Sequence, residues 1–138
     1  MTFPDINIWA VVIATVATVV VGSVWYARRV FGNYWMRVAG VDPAAANAVG
    51  PMLLMPVVAF VTALVLAGSI SIAHDFYGGT FLSSALITGV LLWAGFTAAR
   101  VVSHDAFDKR PRGLTALTLA YELVSVLVMS LIIGLMGV

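Results

Sequence analysis

The chain contains no cysteine. That excludes a disulfide framework, a thiolate metal site and a thiol nucleophile together. Charge is nearly as scarce. Only 9% of the 138 residues are Asp, Glu, Lys or Arg, where soluble domains carry about 25%. No glycine-rich phosphate loop, metalloprotease motif or haem-ligating histidine pair occurs. No catalytic residue, cofactor or metal is therefore expected. Cations are missing from three places in particular: the N-terminal leader, the middle of the chain and the C-terminus. The formal net charge of +1 says little about partners, because the distribution of charge matters more than its sum.

What the chain has is apolar surface, 62% of its residues. A domain this short buries only part of its area in its own core, so lipid is the natural solvent. Four long apolar runs cover about 8–26, 52–73, 80–102 and 114–136. Each is near the roughly 20 residues that span the hydrocarbon. Valine and isoleucine abound in them, yet a run this long without alternation must satisfy its backbone internally, as a helix. The fold class is all-α: a polytopic membrane protein, four transmembrane helices in an antiparallel bundle, one domain over 1–138. The leader 1–7 carries Asp5 and no cation, and the first run exceeds a typical signal-peptide core, so it reads as a retained span. Asp5 is expected to cap it. The stretch Val41-Asp42-Pro43-Ala44-Ala45-Ala46 reads as the start of a short interfacial helix between helices one and two. Gly50-Pro51 would end that helix. The gap 74–79 reads as a turn holding His74-Asp75, and 103–113 is the most polar stretch. Ala27-Arg28-Arg29-Val30 and Ala99-Arg100-Val101-Val102 would fit two hairpins of equal orientation, though apolar helices with cationic ends also look alike by chance.

All seven basic residues flank two of the three gaps. Arg28, Arg29 and Arg37 follow the first run; Arg100, Lys109, Arg110 and Arg112 bracket the third gap. The positive-inside rule puts loops 27–51 and 103–113 in the cytoplasm and both termini outside, as for a multi-pass protein of a cytoplasmic membrane. Trp25, Tyr26 and Trp35 join Arg28, Arg29, Arg37, Lys109, Arg110 and Arg112 as interface anchors, with anionic lipid headgroups as their partners and no nucleic acid.

Two stripes of small residues stand out. Ala10, Ala14, Thr18 and Gly22 recur every four residues in the first helix; Ala59, Ala63, Ala67 and Ser71 do so in the second. Small faces let backbones approach closely in lipid, either between these two helices or between subunits. Glu122 is the one acid inside an apolar run. A carboxylate near the midplane costs roughly 2.5–3.5 kcal/mol on insertion scales. Thr115, Thr118, Glu122 and Ser125 share a helix face, which should meet protein or a wet cavity. Arg100 is the partner to test for Glu122; snorkelling to the phosphates is its other course.

The residues Gly22-Ser23-Val24-Trp25-Tyr26, Val30-Phe31-Gly32, Trp35-Met36 and Ala39-Gly40 resemble a G-x-x-W-Y…F-G…W…G signature. That is the signature of the domain-of-unknown-function family numbered 1761, small bacterial membrane proteins. Gly95-Phe96, the stretch 107–111 and Tyr121 resemble the family more loosely. The resemblance implies four membrane helices and no established activity; Glu122 and Arg100 are not among its signature positions. Physically, Gly22 permits close approach, Trp25-Tyr26 anchor the interface and Phe31-Gly32 turns the chain.

The expected function is a structural or accessory subunit, a homo-oligomer or part of a larger membrane complex, packing through small-residue helix faces. The alternative is a small proton- or cation-coupled transporter using Glu122. Four helices and one embedded glutamate resemble the small multidrug-resistance transporters, but those carry their glutamate in the first helix. Some also insert in both orientations, which a seven-to-none split of loop cations opposes. A lipid-acting enzyme is not expected: Ser103, His104 and Asp105 are consecutive and do not converge on one atom.

Overall fold

The structure, a computed structural model, describes residues 2–41 and 49–138. Helix α1 spans Ile8–Trp25. Its cap is Asn7 and not Asp5: the Asn7 Oδ1 accepts from the Trp9 and Ala10 amides at 3.1 and 3.4 Å. Asn7 immediately precedes the first helical residue, whereas Asp5 lies too early to reach those amides. The leader crosses helix two, with Ile6 and Pro4 against Gly68.

A π-turn, Arg28–Gly32, follows α1 and leads into α2, Asn33–Ala39. Gly40 closes α2 in the left-handed region at φ 71°, and the Val41 amide returns to the Met36 carbonyl at 3.0 Å. Among the described residues, α2 is the short helix of this loop, and it carries Tyr34, Trp35, Met36 and Arg37. The helix expected from Asp42-Pro43 onward lies outside the described residues.

Helix α3, Val49–Tyr77, is longer than the expected 52–73 at both ends. Gly50 and Pro51, expected to lie between helices, are helical in its first described turn. Proline is tolerated in a first turn, where the amides have no intrahelical partner. Gly78, at φ 71°, ends α3, its amide bonded to the His74 carbonyl at 2.8 Å. His74 and Asp75 therefore belong to the last turn and not to a loop. Thr80 then caps α4, Phe81–Leu92, accepting from the Ser83 amide at 3.1 Å.

Helix α4 runs through a second π-turn, Trp93–Ala98, into α5, Ala99–Phe107. Together they form one 27-residue span, so Ser103, His104 and Asp105 are helical and not in a gap. Helix α5 continues as a polar extension, stopped by a Schellman turn. Lys109 sits at φ 54°; the Arg110 amide reaches the Asp105 carbonyl at 3.0 Å, and the Lys109 amide reaches Ala106 at 3.4 Å. Helix α6, Arg112–Met136, completes the chain.

All four spans are long and apolar enough to cross a membrane, and the short connections that follow the second and third make each antiparallel to the next. Helix α1 packs on α3 and α6, and α4 packs on the same two, so the spans close into a ring. The core is mostly small: Ala10, Ala14, Ala59, Ala63, Ala67 and Ala85, with Ile70, Met129 and Ile133 filling the spaces. In lipid, dispersion contacts between closely approaching backbones must replace the hydrophobic drive. A third small-residue contact joins α4 to α6. A methyl group on Gly89 would strike the Ser130 hydroxyl, and one on Gly134 would lie 2.9 Å from the Ala85 Cβ.

Candidate functional site

Ten residues separate Arg112 from Glu122, about 15 Å of helix; Glu122 stands near the middle of the 25-residue α6. It is half-buried, and no hydrogen bond or ion pair reaches it from the described residues. The Trp93 indole donates to the Leu119 carbonyl at 3.2 Å, tying the second π-turn to α6. Val126 lines an apolar cavity of about 450 Å³ with Trp93, Phe96 and Thr97 of that turn and Thr62 of α3. Leu119, Glu122 and Val126 follow at spacings of three and four, so Glu122 lies on the α6 face that meets the π-turn.

Arg100 does not pair with Glu122. It is exposed, and the ion pair among the described residues is Arg110–Asp105, 3.8 Å. The cause is local: a π-turn adds a residue to the helical repeat just before Arg100, shifting the face of everything after it. The expected polar stripe divides. The Thr115 hydroxyl donates to the Asp105 carboxylate at 2.6 Å, so Asp105 pins α5 to α6. Thr118 is half-buried. Ser125 is buried.

The small-residue stripes of helices one and two lie inside the chain. Ala10, Ala14 and Thr18 are buried, as are Ala59, Ala63, Ala67 and Ser71. Gly22 faces Tyr121: a methyl group there would lie 2.9 Å from the phenol oxygen. Two hydroxyl behaviours appear. Thr15, Ser23, Thr62 and Ser69 bond the carbonyl four residues back on their own helix. Buried Thr18 and Ser130 do not, and they have no partner among the described residues.

Aromatic residues gather where α1 leaves the membrane. Trp25 lies 4.8 Å from Phe31 and 6.2 Å from Tyr121, ring centre to ring centre. Tyr26 meets Trp35 edge-on at 5.9 Å and Tyr121 at 5.3 Å. These offset and edge contacts suit the ring quadrupoles. Gly32 is buried in the turn beneath them, and a side chain there would strike the backbone of Tyr26 and Ala27. The guanidinium of Arg37 lies 5.8 Å from the Tyr34 ring centre, and the Tyr34 hydroxyl packs against Gly113. The two basic loops thus meet. Arg28, Arg29, Arg37, Lys109 and Arg112 are all exposed.

Residues 9–134 match the sequence profile of a family described as protein of unknown function (DUF1761). The chain belongs to the DUF1761 family. No curated protein and no solved structure matches it. In this DUF1761 protein, residues far apart in sequence, Gly22, Trp25, Tyr26, Phe31, Trp35 and Tyr121, form one cluster. It locks the α1 exit onto α6. No group of three His, Asp or Glu side chains able to hold a metal occurs among the described residues.

Sequence reasoning missed the α4–α6 contact and the bond from Trp93. The first had a signal: Ala85 and Gly89, like Ser130 and Gly134, stand four apart, the spacing that marks helices one and two. Nothing in the sequence marks the second π-turn.

Proposed function

We propose that this protein is a structural or accessory membrane subunit that self-associates through the inner half of its third span. The observation that carries this reading is Glu122, a carboxyl in mid-span with no partner from the described residues of its own chain. Such a group is stabilised when another helix supplies a hydrogen bond. Three features support a second copy as the partner. Over its most apolar stretch the third span is 11% buried, against 28%, 33% and 39% for the others. Gly95, Ala99 and Ser103 form a small-residue ladder on it, and all three are exposed. Phe96, 68% exposed, projects beside the apolar hollow it helps to line. A knob and a hole on one face are what a two-fold contact requires.

The small faces of helices one and two are already occupied within the monomer, so association uses the third-span ladder. Fluorescence energy transfer between labelled copies in lipid bilayers tests this. Self-association is expected, weakened about 3- to 30-fold by Glu122→Leu, since interhelical hydrogen bonds in membranes contribute about 0.6–2 kcal/mol. A monomer at every protein-to-lipid ratio would overturn the proposal.

A second reading is proton- or cation-coupled transport through Glu122, favoured by the cavity on its face. The cavity's chemistry opposes it: Thr62 spends its hydroxyl on Val58, and the other lining groups apart from Thr97 are apolar or the committed Trp93. Proteoliposomes decide between them: a proton flux abolished by Glu122→Gln would favour transport.

A further inference from the structure

A groove of about 490 Å³ lies against α6 at Tyr121, between α1, α2 and the start of α3. Tyr121 and Gly22 line its depth, Tyr26 and Trp35 one wall, Met52 and Met55 another. Tyr121 is buried, whereas Met52 and Met55 are 70% and 39% exposed, so the groove opens sideways into the bilayer. Methionines adapt to an irregular apolar guest better than branched side chains do. The rings of Tyr26, Trp35 and Tyr121 hold one another at fixed angles, so the wall is rigid without a guest. At the headgroup end stand two exposed arginines, Arg37 and Arg112. Arg37 lies over Tyr34, and the Tyr34 hydroxyl touches Gly113, next to Arg112. Neither Arg37 nor Arg112 has a carboxylate partner among the described residues; the nearby Arg110 is engaged by Asp105.

We infer that this groove is a site for one anionic phospholipid of the leaflet facing the basic loops. An acyl chain lies along Met52, Met55 and Tyr121, and the phosphate lies between Arg37 and Arg112. The two parts require each other. Cations alone would attract anionic lipid diffusely, and an apolar groove alone would take any acyl chain. Their juxtaposition, fixed by the Tyr34–Gly113 contact between the two loops, selects a headgroup and holds a chain. The occupant is a lipid and not a free phosphate, because most of the site is apolar.

Native mass spectrometry of the full chain in mild detergent, titrated with dioleoylphosphatidylglycerol or dioleoylphosphatidylcholine, tests the site. The expected result is one tightly retained phosphatidylglycerol per chain and weaker retention of phosphatidylcholine. Arg37→Gln and Arg112→Gln should each weaken phosphatidylglycerol about five-fold, the usual effect of one cation at an anionic surface. Arg100→Gln, on the third span, should leave it unchanged. Met52→Trp, which fills the groove from its exposed rim, should weaken both lipids alike. Equal retention of the two lipids, or an Arg100→Gln effect as large as that of Arg37→Gln, would overturn the inference. So would glycerol phosphate displacing the lipid, since the chain would then contribute nothing. All these substitutions are at exposed positions, so the variants keep the bundle core intact.

Discussion

Replacing Gly134 with alanine places a methyl group 2.9 Å from the Ala85 Cβ, 2.9 Å from a Leu82 methyl and 3.1 Å from the Leu82 Cα. Carbon atoms pack best at about 3.5–4.0 Å, so the contact is short by about 0.6 Å or more. The Leu82 methyl can rotate away. The Ala85 Cβ and the Leu82 Cα cannot, because they move only with the α4 backbone. The two helices must separate, and overpacking of this kind costs about 1–3 kcal/mol. Alanine is the better helix former by about 1 kcal/mol, which works in the opposite direction. The steric term is expected to win, leaving Gly134→Ala less stable by about 1–2 kcal/mol. Ala85→Gly removes one of the two immovable atoms. The pair Gly134→Ala, Ala85→Gly should therefore recover part of the loss, a coupling of about 0.5–1 kcal/mol. Unfolding in a mild detergent titrated with sodium dodecyl sulfate, followed by circular dichroism, measures all four corners of the cycle. A Gly134→Ala protein as stable as the parent, or a double variant whose losses simply add, would refute the close approach of α4 and α6.

Other outcomes follow from single contacts. Gly32→Ala meets backbone and no movable side chain, so the α1–α2 turn should fail, with a loss above 2 kcal/mol or no folded protein in the same titration. Lys109→Gly relieves a left-handed residue at φ 54° and should stabilise by about 1 kcal/mol. Thr115→Val removes the hydroxyl that Asp105 accepts at 2.6 Å; about 1.5–3 kcal/mol should be lost in the unfolding midpoint, and the α5–α6 turn should exchange amide hydrogens faster. For topology, single cysteines near Asn7 and near Lys109 are expected to show outside labelling at Asn7 alone; labelling at Lys109 alone would reverse the assignment.

The four spans were legible because lipid imposes one rule on every backbone group, and 18 or more apolar residues obey it in only one way. The ends were less legible. Helices α3 and α5 run past their apolar stretches because capping, not hydropathy, stops them: Gly78 at one end, and the Schellman turn at Lys109 at the other. Hydropathy therefore ended the third helix near Val102, and Ser103-His104-Asp105 looked like loop. Glu122 was legible as an unusual group, since charge in an apolar run is visible in sequence alone. Its neighbours were not. Arg100 stands at a reasonable depth, but a π-turn that no residue announces changes its face. The aromatic residues show a middle case. Trp25, Tyr26 and Trp35 were readable as anchors one by one, while their convergence on Tyr121 depends on α6 packing against α1.

Self-association through the third span is tested most directly by disulfide cross-linking, which the absence of native cysteine makes unambiguous. Ala99→Cys is exposed on the proposed face; Val16→Cys is exposed on α1, outside it. In native membranes under mild oxidation, Ala99→Cys should yield a covalent dimer and Val16→Cys should not. Glu122→Leu in the Ala99→Cys background should reduce the dimer. No dimer from Ala99→Cys, or equal dimer from both positions, would contradict the account.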